Sequence, residues 1–186
     1  RQELQEMQQD VRESLTAAEV YVRYCTSETE KAALLFTYLA ERFPYQQGDS
    51  RTPVYSALCQ GVANSKSMAQ SWQLLCDEAG LSCRTVSGLR GGEAYWWNIV
   101  TLDGVSCHVD VLRDLLDGST LRLRYDEDMA GGYYWDAEDV PACPAPAPEE
   151  EEPEAPAPTE DQPASEDPAE DPAETPEAQP TEPETS

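Results

Sequence analysis

Three short runs decide the fold: Gly61-Val62-Ala63-Asn64-Ser65-Lys66-Ser67-Met68-Ala69, then Tyr95-Trp96-Trp97-Asn98, then Asp103-Gly104-Val105-Ser106-Cys107-His108-Val109-Asp110. Asn64 to Ser67 opens a helix that continues to about Ala79, with Met68, Ala69, Trp72, Leu75 and Cys76 at helical spacing on one face. Gly80 suits the residue just past its end. The pattern then changes to strands over Ser82–Leu89, Ala94–Leu102 and Val105–Leu112. Gly91-Gly92 joins the first pair, and Asp103-Gly104, a strong hairpin signal, joins the second. A side chain at a helix N-terminus facing two side chains on neighbouring strands is the layout of a Cys-His-Asp site. Here the first two positions hold Ser65 and Tyr95, and the third holds Asp110.

Upstream, Leu4, Met7, Val11 and Leu15 recur at helical steps and predict a helix over Gln2–Thr26. Ser27 followed by Glu30 is a capping box that opens a second helix, about Glu28 to Arg42, with a stripe of Ala33, Leu34, Phe36, Thr37, Leu39 and Ala40. Phe43-Pro44 ends it, because the residue before proline avoids the helical region. Downstream, Leu121–Tyr125 reads as a fourth strand. Asp126–Pro141 reads as irregular, with Met129 and Tyr133-Tyr134-Trp135 available to lie over the core. Helices first and an antiparallel meander afterwards make an α+β fold.

Composition divides the chain of 186 residues. From Pro144 onward there is no Lys, Arg or aromatic residue, and Pro, Glu and Ala dominate. Such a segment cannot build a core, and its prolines and self-repelling charge keep it extended. The expected organisation is a helical lead over 1–27, a folded domain over 28–143 and a disordered acidic tail over 144–186. The tail reads either as a spacer or as a solubilising appendage. A formal charge of -25 and the lack of a basic cluster argue against nucleic acid and anionic lipid as partners. No run reaches the ~18 apolar residues of a membrane span. The chain begins at Arg1 rather than Met, so the expectation is an exported protein whose leader has been removed.

The six cysteines fit export as well. None forms a CxxC pair, and with one His they make no zinc set, so neither a metal nor a cofactor is expected. Cys76 and Cys83 bracket a helix end, a turn and a strand start, and are the first disulfide candidates. Cys25, Cys59, Cys107 and Cys143 could supply two further bridges of open pairing, and buried free thiols are the competing reading.

The order of these runs resembles the transglutaminase-like family, with its papain-like core, over about Glu28 to Asp114. In that family a nucleophilic Cys opens a helix, its base is the His of a His-Ala-Trp-Asn-like motif, and an Asp follows the next hairpin. Met129 through Tyr134-Trp135-Asp136 and Pro141-Ala142-Cys143 resemble the C-terminal run of exported bacterial members. Carried over residue by residue, the resemblance places Ser65 at the Cys position, Tyr95 at the His position and Asp110 at the Asp position. A serine hydroxyl needs a general base within hydrogen-bond reach. A phenol with a pKa near ~10 is protonated at neutral pH and serves badly as that base.

The resemblance therefore implies a degenerate triad and an exported binding or scaffolding module for a peptide, protein or cell-wall ligand. Trp96 and His108 are the candidate binding residues beside the triad positions. The alternative is an active hydrolase or acyl transferase using Ser65 with His108 and Asp110, since His108 and Asp110 share a sheet face.

Overall fold

The computed structural model describes residues 1–148; the acidic tail expected from Pro144 lies, from Glu149 on, outside the described residues. Two long helices, α1 (Gln2–Val22) and α2 (Glu28–Arg42), lead the chain. A short helix α3 (Pro53–Tyr55) runs into a π-helical turn over Ser56–Gln60. Strands β1 (Gln46–Gln47) and β2 (Val62–Ala63) make a small parallel pair, and the helix α4 (Ser65–Glu78) follows. Four antiparallel strands form the main sheet: β3 (Ser82–Arg90), β4 (Glu93–Leu102), β5 (Val105–Val109) and β6 (Tyr133–Tyr134), in the order β5-β4-β3-β6. Helices α5 (Val111–Leu116) and α6 (Asp126–Met129) lie between β5 and β6. Among the described residues no helix is long and apolar enough to cross a membrane.

The period-2 alternation of β4 splits the core in two. Val100 and Leu102 face the helices, where they join Leu35, Leu39, Trp72 and Leu75. Trp97 and Ile99 face the other way, into a second cluster with Val86, Met129, Tyr133 and Cys143. Both faces of the sheet are thus covered, the second by the chain running from 129 to 143. The second half of α1 belongs to the first core through Ala18 and Val22, so the expected helical lead is packed into the body. Two caps fix where elements start. Asn64 and Ser67 bond each other's backbone N–H groups at the start of α4. At α2 the Ser27 hydroxyl accepts from the Glu30 N–H, and the Asp103 carboxylate, from the distant β4–β5 turn, accepts from the N–H groups of Glu28 and Thr29.

Several boundaries differ from the sequence reading. Helix α1 ends at Val22 rather than Thr26. The apolar face of α2 centres on Ala32, Leu35, Phe36 and Leu39, and Ala33 and Ala40 are exposed. Strand β5 stops at Val109 because the Asp110 carboxylate accepts the Arg113 N–H at 3.2 Å and caps α5. Residues 121–125 form no strand; Arg124 alone bridges His108 through two backbone hydrogen bonds of 2.7 and 3.0 Å. The fourth strand is β6, read in the sequence as irregular cover.

Strand β6 crosses the sheet edge over Gly88. A Cβ there would lie 2.3 Å from the Tyr134 carbonyl oxygen and 2.6 Å from the Trp97 ring, so only glycine admits this approach.

Candidate functional site

Helix α4, strand β4 and the cap of α5 carry the three predicted positions. Ser65, the first residue of α4, accepts the Trp96 backbone N–H on its hydroxyl at 3.3 Å. The Asn98 side chain adds a second tie, donating to the Ala69 carbonyl at 3.0 Å. One residue before Trp96, Tyr95 donates its hydroxyl to Asp110 Oδ1 at 2.8 Å. The other carboxylate oxygen accepts the Tyr133 hydroxyl at 2.5 Å. Asp110 is 1% exposed.

Two guanidinium groups complete the cluster. Arg90 donates to the Tyr95 hydroxyl at 3.2 Å and stands 3.8 Å from Asp110 Oδ2. It also lies over the Tyr95 and Tyr133 rings, at 5.1 and 5.7 Å from their centroids. Arg113 donates to the Tyr133 hydroxyl at 3.2 Å. Each phenol therefore donates a hydrogen bond to the carboxylate and accepts one from an arginine. Burial first, and then the Asp110 charge, push the Tyr95 hydroxyl well above the ordinary phenol range. Tyr133 is raised by burial and by its bond to the same carboxylate.

His108 is buried on the second face of the sheet and bonded at both ring nitrogens. Trp97 Nε1–H donates to Nδ1 at 3.0 Å, and an indole nitrogen can only donate. Nδ1 must therefore carry the lone pair, and Nε2–H donates to Asp126 Oδ1 at 2.7 Å. Burial lowers the pKa of the ring, against an opposing pull from Asp126. Trp135 packs against the ring at a centroid distance of 4.8 Å. Trp96, the other expected binding residue, is half-buried, with the Lys66 ammonium 5.4 Å from its ring centroid.

The ligand atoms of His108, Asp126 and Cys143 lie within 4.8 Å of one another. The chemistry of the set argues against a metal. A ligating Nε2 needs a lone pair, and the Trp97 donor has placed the proton there. The three residues instead tie the C-terminal run to β5, since Asp126 Oδ2 also accepts the Cys143 N–H at 2.9 Å.

All six cysteines are free thiols. Cys76 is buried, and its pKa is raised well above the usual thiol value by burial and then by the neighbouring Cys83.

Residues 16–111, more than half of the chain, match the model of the transglutaminase-like superfamily. The chain belongs to that superfamily. A crystal structure of a candidate protease from Parabacteroides distasonis ATCC 8503 is similar at 13% identity and a TM-score of 0.43, over 55% of this chain and 25% of that one. The present chain thus spans a quarter of that protein. No curated protein is similar enough to register as a match.

Sequence reasoning missed the partners in this transglutaminase-like domain. Arg90 was hidden in a run read as a glycine hairpin, and Tyr133 in a run read as cover. Arg113 and Asp126 carried no signal of their own. For Tyr133 the signal was present, in the three consecutive aromatics Tyr133-Tyr134-Trp135.

Proposed function

We propose that this domain is a binding module on a transglutaminase-like fold that has lost the family's acyl-transfer chemistry. The observation that carries the reading is the Tyr95–Asp110 hydrogen bond of 2.8 Å. At the family's His position stands a phenol that donates to the carboxylate, and its raised pKa makes it a weaker acid than free tyrosine, held protonated at neutral pH. The carboxylate is occupied by two phenols and a backbone N–H, with no imidazole to orient. Ser65 then lies beside Trp96 on a surface that can receive a peptide or cell-wall ligand, with Lys66 and Arg90 as nearby cations.

The competing reading, a Ser65 hydrolase served by His108, would require the imidazole to leave both Trp97 and Asp126 and emerge from a fully buried position. We further propose that the protein is exported, that Cys76 and Cys83 pair under oxidising conditions, and that the acidic segment after Pro144 acts as a spacer.

Labelling with serine- and thiol-directed acylating probes, read by mass spectrometry, tests the central claim. The expected result is no site-specific acylation at Ser65. Stoichiometric labelling of Ser65 that disappears in His108→Ala would overturn the binding-module reading in favour of the hydrolase.

A further inference from the structure

We infer that the start of α1 and the segment 51–55 form a docking groove for an acidic amphipathic helix of another protein. Leu4, Met7 and Val11 make a continuous stripe along two turns of α1, about 10.5 Å at 1.5 Å per residue. The body covers that stripe only from Val11 onward, where the buried positions Ser14, Ala18 and Val22 begin. Leu4 remains 57% exposed and Met7 is only half-buried. Pro53 and Val54 form the facing wall, and the open groove between has a volume of about 620 Å³.

Charge decides the occupant. The chain carries a formal charge of -25, yet the groove is lined by Arg12 and Arg51 and by no Asp or Glu. Neither arginine stands in an ion pair among the described residues; Arg12 is bonded only to Gln9, through an exposed side-chain contact. An apolar floor flanked by two guanidinium groups that have no carboxylate partner among the described residues matches a helix with apolar residues at i, i+3 or i+4 and i+7 and carboxylates beside them. A second copy of this chain fits less well. A two-fold pairing sets the same patch of both copies together, so two arginine-flanked grooves with no carboxylate in their lining would meet like charge to like charge.

The test uses the full chain and a fluorescein-labelled synthetic helix of four Leu-stripe turns flanked by Glu, read by anisotropy. A second peptide carries Lys at every Glu position. The expected result is saturable binding of the Glu peptide, at least tenfold tighter than the Lys peptide, with a further loss of at least tenfold in Arg12→Glu/Arg51→Glu. These exposed substitutions leave the fold intact, and circular dichroism checks that. Equal binding of both peptides, binding unchanged by the double substitution, or no binding at millimolar peptide overturns the proposal. Concentration-dependent dimerisation by analytical ultracentrifugation that Met7→Asp abolishes would assign the groove to a second copy and overturn it as well.

Discussion

Replacing Asp110 with Asn separates a structural carboxylate from an idle one. The carboxylate accepts three hydrogen bonds, from Tyr95, Tyr133 and the Arg113 N–H, and is buried. Bonds to a charged acceptor contribute about 1.5–3 kcal/mol each, against about 0.5–1.5 kcal/mol for neutral ones. Asn keeps one acceptor oxygen. If that oxygen stays with Tyr95 and Arg113, two bonds weaken by about 1 kcal/mol each, and the new NH₂ faces Tyr133, whose hydroxyl already receives a proton from Arg113. Tyr133 then loses its acceptor, for about 1 kcal/mol more. The Arg90 contact at 3.8 Å is partly exposed and adds little.

The sum is a loss of about 3 kcal/mol, or a fall in Tm of about 6–12 °C for a body of this size. Urea unfolding of the wild type, Asp110→Asn, Tyr133→Phe and the double variant measures it. The cycle should give a coupling of about 1 kcal/mol between Asp110 and Tyr133. An Asp110→Asn variant within about 0.5 kcal/mol of wild type would refute the account, because it would mean that the phenols do not depend on the charge.

Three further outcomes follow from the same geometry. His108 has a folded pKa lowered from the ordinary value, chiefly by burial, so the unfolded chain takes up its proton first as pH falls. Its contribution is therefore complete above about pH 6.5 and is lost as pH drops toward the lower folded value; a His108→Gln variant whose stability falls just as steeply below pH 6.5 would contradict this. Gly88→Ala forces a Cβ against the Tyr134 carbonyl and the Trp97 ring and should cost at least about 1–3 kcal/mol, with loss of Trp97 near-ultraviolet dichroism as the companion signal. Asp114→Ala removes the partner of the buried Arg124, bonded at 2.7 Å, and should cost about 3–5 kcal/mol by urea unfolding; a change under about 1 kcal/mol would show that water reaches Arg124.

The elements that announce themselves locally were legible in the sequence. Helix α2 begins and ends where Ser27 and Phe43-Pro44 place it, and the β4–β5 turn falls at Asp103-Gly104. Helix α4 opens at Asn64 because its capping chemistry is contained within four residues. What stayed hidden depends on distant chain. Val105–Leu112 has the composition of a single strand, and only the cap made by Asp110 stops it at Val109. The parallel pairing of β1 with β2 has no local signature in two-residue strands. The resemblance singles out Ser65, Tyr95 and Asp110 by motif, but the second phenol and the two arginines come to Asp110 from β6, β3 and α5, and no motif joins those. The buried Arg124–Asp114 pair was equally silent, since each residue reads as an ordinary surface charge in its own neighbourhood.

Strand β6 also has a consequence for the order in which the molecule assembles. The β3–β4–β5 hairpins pair neighbours in sequence, whereas β6 must return from beyond α6 to reach the β3 edge. Closing such a loop costs entropy before its contacts form, so β6 docks after the hairpins. Tyr133 arrives with it, so the Asp110 cluster is expected to close after the hairpins have formed. Tyr133→Phe should then speed unfolding in a chevron and leave refolding nearly unchanged; a slowed refolding limb would place β6 in the nucleus instead. A ligand that needs the closed cluster would bind only the fraction of molecules in which β6 is seated.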